Sequence, residues 1–286
     1  LRMLRANPFF MRLTPGGLLH PKIKILGADL AGRVEAIGCN IMQFQPGDEV
    51  FGDVSRCGFG AFAEYVVVPE SELVLKPANI TIEEAAAVPE AALVALFGLR
   101  DNGRIRPGQK VLIYSASGGI GTFAVQMAKH YEAEVTAVCG TRNQDMVRSL
   151  GADHAIDYTR EDFTKNGQQY DLILAVRKTR SVFAIKRALG PQGIYVSTAS
   201  GSPARLFQEA VIGPGNYRKD GKEIAIISGK ASQKDLLFIK ELIEAGAVRP
   251  VIDRRYPLSE ILQAFRYYAQ GHARGKVVIT MQQGSG

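Results

Sequence analysis

Cysteine is scarce. Cys39, Cys57 and Cys139 are the only three in 286 residues, and they stand far apart. Three scattered thiols make no disulfide framework and point to a reducing compartment, the cytoplasm. They also cannot supply a four-cysteine structural zinc site, and His20 alone is no ligand set, so no metal is expected. No apolar run approaches the length of a membrane-spanning helix, so no membrane partner is expected. The opening LRMLRANPFF carries arginines but no apolar core and no small-residue cleavage site, unlike a secretory signal. No Ser-His-Asp arrangement, carboxylate pair or metal cluster competes for a catalytic role, and no catalytic side chain is assigned.

The rest of the composition is that of a globular protein, 46% apolar and 22% charged, long enough for two domains with a sizeable core. The net charge of +7 raises the question of anionic partners. Local excesses lie at Arg177, Lys178, Arg180, Lys186 and Arg187, and at Arg218, Lys219 and Lys222. No aromatic side chains are interleaved with them as a single-strand binder requires, so they read as solvated surface and nucleic acid is not the expected partner.

The informative stretch is QKVLIYSASGGIGTFAVQMAKHYEAEVTAVCGTR, Gln109 to Arg142. Val111 to Tyr114 is a short apolar run after Pro107-Gly108, the pattern of a buried parallel strand. The turn Ser115-Ala116-Ser117-Gly118-Gly119-Ile120-Gly121 follows. Phe123, Val125, Met127 and Ala128 then recur at helical spacing, and Val135 to Val138 is a second strand. This is a βαβ unit with a glycine turn. Such a turn lets a diphosphate approach bare backbone, with the helix N-terminus supplying N–H groups and a positive dipole end. Ser117, Gly118, Gly119, Ile120 and Gly121 are therefore candidate cofactor residues. After the second strand the chain offers Thr141 and Arg142 and no carboxylate until Asp145. An arginine there suits the 2′-phosphate of NADP(H), whereas an NAD site wants an acid. The other reading of Arg142 is the start of a solvated helix.

Further units follow: a helix from Asn143 to Leu150, a strand His154–Ile156, a strand Asp171–Val176, a helix Val182–Leu189, a turn Gly190-Pro191-Gln192-Gly193 and a strand Ile194–Ser197. The alternation predicts an α/β fold with a doubly wound parallel sheet. Ahead of it, glycines punctuate short strand patterns between Gly27 and Val68, with Phe62, Tyr65 and Val67 alternating, as in a partly closed β-barrel. Phe9, Phe10 and Met11 can line a pocket or lie in a core. Thr81-Ile82-Glu83-Glu84 is a capping box opening a helix. Pro89 interrupts, and Ala91–Arg100 is a second helical run. Gln233–Ala245 is amphipathic and ends at Gly246. Ser259 is placed to cap a helix running to Gln270, and the chain closes with a strand ending at Ile279.

The run Gly108-Gln109-x-x-Leu112-x-x-x-Ala116-Ser117-Gly118-Gly119-x-Gly121-x-x-x-x-Gln126-x-x-Lys129 resembles the quinone oxidoreductase and zeta-crystallin signature of the medium-chain dehydrogenase/reductases. The likeness extends from about Ile25 to Ile279. It implies a Rossmann domain at residues 79–256 and a GroES-like, barrel-type catalytic domain at 1–78 with 257–286. Against that family the first barrel strands, and a polar residue near the nicotinamide, are expected upstream of Leu1, leaving an apolar face and strand edges uncovered. Zinc-dependent relatives carry Gly-His-Glu where this chain has Gly27-Ala28-Asp29, so the resemblance implies a zinc-free member. It brings Tyr158 to the adenosine phosphate, although a plain strand-end tyrosine is an equal reading. It places Val176 near the nicotinamide, followed by Arg177 and Lys178 where relatives have a small residue, and puts Val94 where relatives often have threonine. Arg274 and Lys276 fall where relatives keep a basic residue near the NADP phosphate. The implied activity is hydride transfer from NADPH to a quinone or an α,β-unsaturated carbonyl by a homodimer or homotetramer. The alternatives are a catalytically weak nucleotide-binding protein and an NAD(P)-dependent alcohol or aldehyde oxidoreductase.

Overall fold

The computed structural model describes residues 23–177, 180–198 and 221–281. Phe9, Phe10, Met11, His20, Lys178, Arg218 and Lys219 lie outside them. The chain divides into two compact units, one of residues 1–93, 231–246 and 250–286, the other of residues 94–230 and 247–249.

The first unit begins with an antiparallel sheet of β1 (Asp29–Arg33), β2 (Glu49–Asp53) and β3 (Leu73–Leu75), in that spatial order. Among the described residues this sheet is open rather than a closing barrel. Gly60–Val68 is not a strand, despite its alternation. Ala61 and Phe62 donate to the carbonyls of Gly27 and Leu26, at 3.2 and 2.9 Å, and there the pairing stops. Alternation makes a strand only where a neighbour takes up the backbone groups. Beyond Phe62 none among the described residues does, and Val67 is 98% exposed.

The capping box holds. Thr81 Oγ1 accepts from the Glu84 amide at 3.2 Å, and Glu84 returns a carboxylate oxygen to the Thr81 amide at 2.8 Å, starting α1 (Ile82–Ala86). Pro89 does not interrupt a helix but opens α2 (Pro89–Leu96). A proline lacks only an N–H that the first helical position leaves unpaired anyway. The expected run to Arg100 instead widens into a π-helical turn, Phe97–Asn102.

The second unit is built on six parallel strands: β4 (Lys110–Tyr114), β5 (Glu134–Cys139), β6 (His154–Asp157), β7 (Tyr170–Ala175), β8 (Leu189–Ser197) and β9 (Glu223–Ile226). Their order is β6-β5-β4-β7-β8-β9. From β4 the order runs out through β5 and β6 on one side and through β7, β8 and β9 on the other, so the topology reverses between β4 and β7. In doubly wound sheets that point opens the ligand crevice at the carboxyl ends. Helices α3 (Gly119–His130), α4 (Gln144–Ser149) and α5 (Val182–Ala188) connect the strands. The strands read as unbroken apolar runs because both faces are covered: Val111, Leu112, Ile113, Leu172, Ile173 and Leu174 are all fully buried. Each contributes about 1.5–3 kcal/mol. Gly190–Gly193 is not a free turn. It lies inside β8 as a bulge, the register jumping from Leu189 opposite Tyr170 to Ile194 opposite Leu172. Pro191 has no N–H for the ladder, which suits a bulged position.

Returning to the first unit, α6 (Gln233–Glu244) starts at Ser232, whose Oγ accepts from the Asp235 amide at 3.2 Å, and stops before Gly246 at φ +70°. Then β10 (Ile252–Pro257), α7 (Ile261–Ala269) and β11 (Lys276–Thr280) follow, β10 and β11 pairing in parallel. Ser259 does not cap α7. After Pro257 the chain enters a 3₁₀ turn, Leu258–Glu260, which puts Ser259 in helical geometry where it cannot serve as an extended cap. No helix among the described residues is long and apolar enough to cross a membrane.

Candidate functional site

At the end of β4 the chain reverses sharply. Ser115 takes φ +67°, a left-handed conformation that costs a non-glycine residue about 1–3 kcal/mol and is typical of functional turns. Two hydrogen bonds hold it: Ala116 N to Val138 O and Gly118 N to Ser115 O, both 3.1 Å. Gly118 is the N-cap of α3, and no side chain caps that helix. The N–H groups of Gly119, Ile120 and Gly121 are those an α-helix leaves without an internal acceptor. Together with the helix dipole they form a seat for an anion.

The glycines of this turn answer different demands. A Cβ on Gly121 would lie 2.3 Å from Ser115 O and 2.7 Å from Ala116 C, both backbone. Its bareness lets α3 pack against the strand-to-helix turn. Among the described residues, a Cβ on Gly118 would meet Ser115 O at 3.5 Å and Ser115 Oγ at 3.7 Å, ordinary contact without a clash. Packing alone therefore does not demand a bare backbone at Gly118. One glycine required for close helix packing and another bare where packing does not require it is the division of labour a diphosphate cradle needs, so these residues fit a dinucleotide.

Beyond β5, Thr141–Asn143 forms a 3₁₀ turn leading into α4. Tyr158, about half exposed, lays its ring beside Gly140: a Cβ there would be 3.6 Å from the Tyr158 Cε1 and hydroxyl oxygen. Arg142 is exposed at the same edge. Two residues that sequence reasoning missed organise this corner. Buried Asp157, at the end of β6, accepts from the Thr141 hydroxyl, from the Thr159 amide at 2.9 Å and from the Thr159 hydroxyl at 2.7 Å. Those bonds, Thr141 first, hold its carboxyl below the ordinary aspartate range. Both of its oxygens are engaged at this corner, one by Thr141 and the other by Thr159. Asn143 is 8% exposed; its Nδ2 donates to Ser117 Oγ at 3.0 Å, while its buried Oδ1 has no hydrogen-bond partner among the described residues. An unpaired buried acceptor costs about 1–3 kcal/mol. The signal available in the sequence was thin: Asp157 and Asn143 act across 16 and 26 residues respectively.

Val176 is half-buried just past β7, its amide reaching Tyr114 O at 3.4 Å, and Arg177 is exposed. The basic excess is partly spoken for. Arg180 pairs with Asp162 at 3.4 Å, and Lys222 Nζ donates to Lys186 O at 2.7 Å. Burial pushes the Cys139 thiol up to about 11. Arg274 belongs to the first unit, where its amide donates to Asp253 at 3.0 Å. There Lys276 is bound to Asp29 at 2.6 Å, and Asp29 also accepts from the Glu90 amide at 2.7 Å. Burial works against the Lys276 ammonium, but Asp29 and the nearby Glu90 together outweigh it and raise the pKa. Lys276 is thus an internal partner of Asp29, not an open phosphate cation. Among the described residues no three His, Cys, Asp or Glu side chains are grouped to hold a metal.

Residues 10–78 match the model of the alcohol dehydrogenase GroES-like domain, and residues 150–279 match that of the zinc-binding dehydrogenases. The bovine (Bos taurus) mitochondrial NAD(P)H oxidoreductase RTN4IP1 is 35% identical, the alignment covering 92% of this chain and 73% of that protein. The chloroplastic NADPH-dependent alkenal/one oxidoreductase of Arabidopsis thaliana is 33% identical over 91% of this chain and 64% of its own length. Among solved structures, the quinone oxidoreductase of Coxiella burnetii superposes with a TM-score of 0.80 at 25% identity, over 96% of this chain and 86% of that one. A six-stranded parallel sheet of reversing order, a glycine-lined helix mouth and relatives of this similarity lead to one conclusion: the chain is an oxidoreductase that belongs to the medium-chain dehydrogenase/reductase family, in its quinone oxidoreductase branch.

Proposed function

We propose that this protein uses NADPH, without zinc, to reduce a quinone or an α,β-unsaturated carbonyl. The observation that carries the reading is the glycine at Gly118, where packing would admit a side chain, above an uncapped helix, against the tight packing at Gly121. Bound there, the dinucleotide supplies a hydride. The chain supplies the rest. The N–H groups of Gly119, Ile120 and Gly121 hold the diphosphate, Ser117 adds a hydroxyl, and Tyr158 walls the adenosine side beside Gly140. Arg142 selects the 2′-phosphate, while the neighbouring Asp157 is turned to Thr141 and Thr159. Thr141 contributes position more than a donor, because its proton goes to Asp157. Val176 borders the nicotinamide, with the cofactor domain taken as 79–256 and the substrate domain as 1–78 and 257–286.

The zinc-free part rests on Ala28, which has no lone pair to offer where zinc-dependent relatives keep histidine. A conjugated acceptor needs no metal. Once hydride reaches its far carbon, the charge spreads to an oxygen that solvent can protonate. The names of the compared proteins favour the same pair of acceptors, an alkenal or enone and a quinone. The substrate is accordingly a small apolar carbonyl compound or quinone, and the assembly a homodimer or homotetramer. The cysteine pattern supports a reducing compartment such as the cytoplasm, although the compared relatives carry organellar names. The test is to mix protein and NADPH with a panel of quinones, enones and simple aldehydes and follow loss of the reduced nicotinamide absorbance. Turnover with the first two and not the third is expected. Turnover confined to aldehydes, and lost on metal chelation, would overturn it.

A further inference from the structure

We infer that Asn143 is a positioning residue that turns the Ser117 hydroxyl toward the cofactor diphosphate. The inference rests on the dinucleotide reading above and names a residue outside the glycine turn. A serine hydroxyl has one proton and two lone pairs. Asn143 Nδ2 donates to Ser117 Oγ at 3.0 Å, which occupies a lone pair and leaves the proton to be donated elsewhere. Ser117 is half-buried at the mouth of α3, while Asn143 lies buried behind it. The amide is therefore a backing group and the hydroxyl the facing one. Thr141 provides the contrast on the same edge: its hydroxyl already donates to Asp157.

The second observation is the state of the Asn143 amide itself. Asn143 closes the 3₁₀ turn in helical geometry, φ −111° and ψ 0°, and among the described residues its Oδ1 is buried without a partner. The side chain keeps its one bond to the glycine turn. A side chain held at a local cost beside a ligand cradle marks a functional demand rather than a folding one. An amide donating into Ser117 fixes where that demand falls, on the direction of the hydroxyl proton.

The test is a double-mutant cycle on the whole chain, read by NADPH dissociation constant, by KM against kcat, and by the melting temperature without ligand. Ser117→Ala is expected to weaken NADPH binding about tenfold, as loss of a hydrogen bond to a charged group does. Asn143→Ala is expected to weaken it roughly three- to tenfold, raising KM for NADPH with kcat unchanged, and the double variant is expected to be no weaker than Ser117→Ala alone. Asn143→Asp, which can only accept and so draws the serine proton inward, is expected to bind more weakly than Asn143→Ala. The melting temperature of Asn143→Ala is expected to stay near that of the parent, because little pairing is lost. Losses that multiply in the double variant overturn the inference. So does an Asn143→Ala variant that melts earlier but binds NADPH as the parent does. If the unsubstituted protein binds no dinucleotide, the proposed function falls first and this inference with it.

Discussion

Replacing Gly121 by alanine should separate packing from binding at the helix mouth. The added Cβ would stand 2.3 Å from Ser115 O and 2.7 Å from Ala116 C. Both distances fall well short of ordinary contact, and both neighbours are backbone atoms of a turn fastened to β5 through Ala116. They cannot swing aside as a side chain would. The first turn of α3 must move, and that helix is buried from Gly121 to Ala128. Overpacking of a tight interior costs about 1–3 kcal/mol, and backbone clashes belong at the upper end. For a protein of this size about 3 kcal/mol corresponds to a fall in melting temperature of roughly 6–12 °C. Gly118→Ala is the control. Its Cβ has room, its φ of −85° suits any residue, and the melting temperature should move by no more than about 2–4 °C. The new methyl group would, however, occupy the space left for a diphosphate, so NADPH affinity should drop at least about tenfold. Calorimetry of both variants, with and without NADPH, makes the comparison. A Gly121→Ala protein that melts like the parent would refute the packing argument. A Gly118→Ala protein that binds NADPH normally would refute the cradle.

Other consequences can be checked with simple assays. Arg142→Ala should weaken NADPH binding roughly 10- to 100-fold and leave NADH binding unchanged, because the lost contact is to the 2′-phosphate alone; equal losses for both would contradict that role. Asp153, Asp157 and Asp162 are all held below the ordinary aspartate value. A depressed carboxyl contributes stability that is complete above its unfolded value and is lost as pH falls through the folded one. Denaturant midpoints should therefore be flat from neutral pH to about 5 and fall below about 4, and Asp157→Asn should shallow that decline. With its pKa at about 11, Cys139 is a buried thiol that should resist a disulfide reagent until the chain unfolds, whereas exposed Cys39 should react at once. Two fast thiols that include Cys139 would be inconsistent with this core.

The doubly wound sheet was readable from the chain because its strands are covered on both faces. That condition writes itself as apolar runs such as Val111–Ile113 and Leu172–Leu174, punctuated by glycine turns. The first unit was less readable. Gly60–Val68 alternates like a strand, but pairing depends on a partner edge that no local pattern encodes. Ser259 looks like a cap, and Pro257 moves the helix entry past it. At the site, the glycines were visible because backbone exposure leaves a compositional mark. Asp157 and Asn143 left none. Each matters through a contact made across two strands, and the sheet order that brings β5 between β4 and β6 is what joins them. The pairing of Lys276 with Asp29 spans 247 residues and was likewise out of reach.

The most direct measurement is a titration of the unsubstituted protein with NADPH and with NADH, side by side, by calorimetry at one ionic strength. Saturable binding of NADPH is expected, at least about tenfold tighter than that of NADH. Equal affinity for the two would contradict the role given to Arg142, and no binding of either would contradict the reading of the Ser115–Gly121 turn from which the rest was built.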